Sequence, residues 1–230
     1  MDFTHKEEVR ETTVNKRFAE SPLGQAAEHK IFDKPASEYG KPLGLAAMES
    51  KNETTDAIDI KEYKLAKCIE IVRKRFTEKI QAEWGGLSAS ERKKIFGAYQ
   101  RDIAKELGIK NKGVRYDITE PGGVGYNLGD GVIHLHKGLL DDPKLILLGI
   151  DAIAHESRHQ FQTDVILGNI CGVVSNSVIA AWISATETYA SSGSNCFDPE
   201  GYFYNPLEAD ARHFGEGIAS ALRLEANGRG

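Results

Sequence analysis

The chain has 230 residues, 40% of them hydrophobic and 27% charged, with a formal net charge of −5. That length suits one domain plus an appendage, and an acidic chain without a patch of Lys and Arg interleaved with aromatics argues against nucleic acid as a main partner. Three cysteines without CxxC spacing give no disulfide framework, the N-terminus lacks an apolar signal-peptide core, and no apolar run is long enough to span a bilayer.

The expectation from these bounds is a chain cytoplasmic as made, with no Sec signal and no membrane span. Cys171 with Cys196 is the one cysteine pairing that stays open. Residues 1–57 are polar and punctuated by Pro22, Pro35 and Pro42, with apolar residues in no regular period. They read as an extended or partly disordered N-terminal arm, with short helical stretches around 6–19 and 45–51. A delivery or partner-recognition segment is the functional reading of this arm, and a plain terminus is the bland one.

The domain proper is expected over 58–230, beginning with a helical hairpin over 58–110. Tyr63, Leu65, Ile69, Ile71, Val72, Phe76 and Ile80 form an apolar stripe on a basic helix that should end near Trp84-Gly85-Gly86. Ser88-x-x-Glu91 is a capping box. It opens a second helix through Ile95, Phe96, Tyr99, Ile103 and Leu107 that stops at Gly108. The Lys and Arg residues along this pair read as a solvated face.

The metal-site core is expected over 113–225. Val114 to Ile118 alternates as a strand, and Val124–Asn127 with Gly131–His136 flank a turn-rich connection, so a hairpin is predicted. Val132, His134 and His136 share one face of that strand, opposite Ile133 and Leu135. His134 and His136 read either as ordinary surface residues or as groups reaching a metal or substrate.

Asp142-Pro143 then starts a long apolar helix that ends near Gly168, and H-E-x-x-H interrupts it over residues 155–159. Positions i and i+4 lie one turn apart on one helix face, so His155 and His159 can offer imidazole nitrogens to one ion. Zinc suits that pair, with Glu156 beside an activated water as general base. Arg158 lies off this face and reads as a salt-bridge partner. A small-residue apolar stretch over 177–185 can pack against the metal helix. A Ser/Gly/aromatic loop over 189–204 reads as a cleft wall or a core cover.

A catalytic zinc needs a third protein ligand, and the final helix from Asn205-Pro206 supplies the candidate Glu208. Asn205 with Glu208 is equally a capping box, and Asp210 and His213 compete as ligands. Asp210 also reads as an acceptor from a ligand imidazole. Tyr202, Tyr204, Arg212 and His213 are candidate oxyanion donors, with His213 and Tyr204 ranked first.

Residues 155–162 resemble the active-site helix of zincin metallopeptidases, and Tyr204 to Ala211 resembles the N-P-x-E-x-D/E-A signature of glutamate-ligand zincins. The likeness covers roughly 113–225 and resembles small bacterial toxin or effector metallopeptidase domains. There is no third His as in metzincins, no long thermolysin-like domain, and no set of long apolar helices around the motif. The resemblance implies an α+β fold, mostly helical, with a small β-sheet beside the H-E-x-x-H helix. It implies one zinc per chain on His155, His159 and Glu208, with Glu156 as base. It places Val132–His136 as the edge strand that holds extended substrate.

The expected function is a zinc endopeptidase acting on a protein or peptide substrate, made as a secreted effector or toxin with a secretion chaperone or cognate inhibitor. The alternative is a non-catalytic zinc-binding or protein-interaction module on the same scaffold.

Overall fold

A computed structural model describes residue 60 and residues 62–119, 124–191 and 204–227. The N-terminal arm over 1–57 and most of the 189–204 loop, with Cys196 and Tyr202, lie outside the described residues. The fold is α+β and mostly helical, with one small mixed sheet among the described residues.

The basic apolar-striped segment is two helices, not one: α1 (Leu65–Arg75) and α2 (Glu78–Glu83). The stripe continues across the break, but Phe76 leaves helical geometry (φ −111°, ψ 61°) to bury itself completely. Thr77 then caps α2 by accepting from Ile80 N, and Gln81 donates its side-chain amide to Phe76 O. The rings of Phe76, Trp84, Phe96 and Tyr99 meet with centroids 5.1–5.9 Å apart. Burying that aromatic cluster outweighs a continuous helix.

Helix α3 (Ala89–Leu107) has the expected ends: the Ser88–Glu91 capping box and Gly108 in the left-handed region at φ 73°. Its basic residues are not uniformly solvated. Arg92 is buried and donates to the carbonyls of Trp84, Gly85 and Leu140, which ties α3 to the segment before the motif helix.

Three strands follow: β1 (Gly113–Ile118), β2 (Gly125–Asn127) and β3 (Val132–His136). The order is β1-β3-β2, with β2 antiparallel to β3 as a hairpin requires and β1 parallel to β3. Ile133 and Leu135 enter the core, as the period of two demands.

After a short α4 (Gly138–Asp141), Asp142 accepts from Lys144 N and Pro143 opens a 3-10 turn that feeds α5 (Ile146–Ile166). This motif helix crosses the centre of the domain with most of its length buried. α6 (Asn176–Ser191) and α7 (Pro206–Asn227) complete the layer. α7 packs on α5 and α1 and sends Leu207, Phe214, Ile218 and Leu222 into the core.

Candidate metal centre

On α5 the i, i+4 spacing brings His155 Nε2 and His159 Nε2 to 3.0 Å from one another. α7 reaches this point because Asn205 caps it, its side chain accepting from Leu207 N at 2.9 Å with Pro206 at the first helical position. The Glu208 carboxylate turns to the two imidazoles, Oε1 lying 3.2 Å from His159 Nε2 and Oε2 3.4 Å from His155 Nε2. Close approach of the two helices depends on Gly215. A Cβ there would stand 2.2 Å from Asp151 Oδ1, 3.0 Å from Asp151 O and 3.3 Å from His155 Cβ.

His155, His159 and Glu208 form a three-residue group able to hold a metal ion. The fit is good on two counts. Ligand atoms about 2.0–2.1 Å from a tetrahedral zinc lie about 3.3 Å apart, the spacing seen between these three side chains. Two imidazoles and one carboxylate are also a donor set suited to zinc with a position left open. Glu208 is 1% exposed and His159 5%, whereas the His155 side chain is 18% exposed, so the group opens to solvent on the His155 side.

The electrostatics are those of a coupled buried cluster. Burial by itself would lower His159, but the charge and hydrogen bond of Glu208 outweigh it and hold the imidazole up at about 9. Burial likewise opposes ionisation of Glu208, and His159 and His155 overcome it to hold the carboxyl well below its ordinary range. Glu156, 4% exposed, is pushed up by burial; His155 and His159 oppose that rise and Glu208 adds to it. Its Oε2 is buried and meets no hydrogen-bond partner among the described residues, which costs free energy.

A chain of hydrogen bonds orients the ligands from behind. His159 Nδ1 lies 2.9 Å from Gln162 Oε1, and Gln162 Nε2 donates to Leu207 O at 2.9 Å and Asp210 Oδ2 at 2.8 Å. Asp210 also accepts from Arg158 Nε at 2.8 Å and Nη2 at 3.0 Å. Asp210 therefore acts on the imidazole through Gln162 and is not in the metal group itself. Gln162 was missed in the sequence, although its i+3 spacing from His159 was the available signal. Arg158 is a salt-bridge partner as expected, fully buried, with its guanidinium 4.8 and 5.0 Å from the rings of Phe161 and Phe214.

The edge strand beside α5 is β2, not Val132–His136: β3 lies in the middle of the sheet, paired on both sides. β2 passes so near the motif that a Cβ on Gly125 would sit 3.3 Å from Glu156 Cγ and 2.7 Å from Leu135 Cδ2. Gln160 fastens the hairpin turn to α5, accepting from Gly131 N and donating to Gly129 O.

Other sequence candidates fall elsewhere. His134 is held by Asp117 at 2.9 Å and stacks on Tyr126 at 4.5 Å, and His136 Nδ1 accepts from Gly138 N. His213 faces Glu62 at 3.3 Å with its side chain 43% exposed. Five helical steps from Glu208 turn it about 140° around α7, which carries it off the metal face. Tyr204 is 75% exposed just ahead of α7. Compared with protein-family models, with curated proteins and with solved structures, the chain matches none of them. The reading of this site rests on its own geometry.

Proposed function

We propose that this chain is a zinc-dependent endopeptidase acting on an extended segment of a protein. The observation that carries the reading is the convergence of His155, His159 and Glu208 around one point, with the buried carboxyl of Glu156 near enough to feel the charge of all three. A zinc ion on those three ligands would supply a Lewis acid and a water of lowered pKa.

The chain's own residues do the rest. His155 and His159 would face the ion with Nε2 from one helix face, His159 giving up its proton to do so, while Glu208 would supply negative charge from α7. Gln162 fixes the ring of His159 by accepting its Nδ1 proton, leaving Nε2 for the ion. Glu156 takes a proton from the attacking water and returns it to the leaving amine. Burial raises its pKa, the direction required of a base that must afterwards act as an acid. Among the described residues β2 pairs with β3 on one side only, so its other edge offers backbone groups to an extended peptide next to Glu156. A purely structural zinc would have no use for a buried, unpartnered acid at this place, which separates this reading from a non-catalytic module.

The test is zinc-loaded protein incubated with a degenerate peptide library, with new N-termini read by mass spectrometry. The wild type should produce cleavage, and Glu156→Gln should keep its zinc while losing about 10²–10⁴-fold of the rate. Equal rates in both would overturn the assignment of Glu156.

A further inference from the structure

Away from the metal centre, a cleft of about 470 Å³ opens between α3 and β1. Ser90, Lys93, Lys94 and Arg101 line one wall, and Gly113 and Tyr116 line the other. The first four fall on a single face of α3, at spacings of three, one and seven residues. Gly97 lies between them and keeps the floor low, a Cβ there meeting only Arg101 Nη1 at 3.6 Å. On the strand side a Cβ at Gly113 would meet nothing within 4 Å.

The charge in this cleft is only partly compensated: Glu91 feels Lys94 through space, short of an ion pair. Each acid of α3 is committed elsewhere: Glu91 to the Ser88 cap, Asp102 to Arg75, and Glu106 to Lys64. Lys93, Lys94 and Arg101 have no carboxylate within ion-pair distance among the described residues. In a chain of net charge −5, three unpaired cations on one concave wall mark a local departure.

The opposite wall adds an independent observation. The Tyr116 hydroxyl is buried yet has no hydrogen-bond partner among the described residues, and Lys93 Nζ stands 5.8 Å from the centre of its ring. Burial pushes that hydroxyl above its usual pKa, so it stays a neutral donor. That hydroxyl is closed off from solvent, so the cleft meets Tyr116 through its ring.

We infer that this cleft binds a small phosphate-bearing molecule, its phosphoryl oxygens on Lys93, Lys94 and Arg101 and the Tyr116 ring as the facing wall. Arginine and lysine heads are donors that phosphoryl groups take, Ser90 adds a hydroxyl on the same wall, and a cleft of this size admits a sugar bisphosphate or a lipid headgroup.

The probe is fructose bisphosphate, titrated into the full-length zinc-loaded protein at low salt and followed by amide resonances. Saturable shifts at Gly97 and Gly113 are expected, with the residues around Glu208 unmoved. The Lys94→Ala/Arg101→Ala double variant should weaken binding about tenfold or more, as loss of charge-assisted hydrogen bonds implies. Lys79→Ala, on the exposed outer side of α2, should bind like the wild type. No saturable shift, shifts confined to the metal centre, or an undiminished double variant would overturn the proposal. Sedimentation with phosphatidylcholine vesicles, with and without phosphatidylinositol bisphosphate, then identifies the source. Retention on the phosphorylated vesicles alone assigns a lipid headgroup, and its absence assigns a free phosphate compound.

Discussion

His159 and Glu208 hold one another in their charged forms, and this has a consequence for metal uptake. The imidazole is raised from 6.5 to about 9, so without metal the pair contributes stability that is fully present below about pH 6.5 and is lost as pH rises through about 9. Glu208, depressed by the same pair, contributes above its ordinary value of 4.5, and that contribution is lost as pH falls through its lowered value. Zinc needs the neutral imidazole, so binding near neutral pH displaces the proton that His159 carries. Calorimetry in buffers of different ionisation enthalpy should report release of about one proton per zinc near pH 7, declining toward none above about pH 9. A release independent of pH across that range would show that His159 is not protonated beside Glu208.

At the scale of elements, the metal centre is a product of how closely α7 lies on α5. Gly215 permits that approach beside Asp151 and His155, and Gly215→Ala would force its Cβ against a backbone oxygen 3.0 Å away. Overpacking of this kind costs about 1–3 kcal/mol, and the variant should show a lower midpoint of unfolding together with weaker zinc binding. A variant with unchanged zinc affinity would mean that Glu208 reaches the imidazoles without tight helix packing. Local signals made several of these elements legible in advance. Ser88 with Glu91, Gly108, and Asp142-Pro143 each mark a helix end by chemistry confined to a few residues. The break at Phe76-Thr77 was not legible, because Phe76 and Ile80 keep the helical period and only the buried aromatic cluster decides against it. Parallel pairing of β1 with β3 was equally hidden, since register between strands separated in sequence carries no local mark.

For the whole molecule, Arg158 is the junction. It joins α5 to α7 through Asp210, and to the start of the described domain through the carbonyls of Ile60 and Tyr63. Asp210→Ala would leave a fully buried guanidinium without its carboxylate and Gln162 without one acceptor. Breaking such a pair costs about 3–5 kcal/mol, so denaturant unfolding should shift as one transition for the entire domain. A loss below about 1 kcal/mol would show that the pair is not the link between these layers. Arg158 was legible as a salt-bridge partner because helical spacing turns it off the face of His155 and His159, whereas Glu208 was one of three candidate ligands, singled out by resemblance to the N-P-x-E signature. The buried role of Arg92 and the position of β2 beside Glu156 depend on tertiary approach and had no such signature, whereas Gln162 had its i+3 spacing from His159.

The measurement that bears most directly on this account is the metal content of the purified protein beside its His155→Ala and Glu208→Ala variants. About one zinc per chain in the wild type, lost or strongly weakened in both variants, is the predicted result. A wild type that takes up no zinc after reconstitution, or a Glu208→Ala variant that keeps its zinc undiminished, would contradict the three-ligand centre on which the proposed function stands.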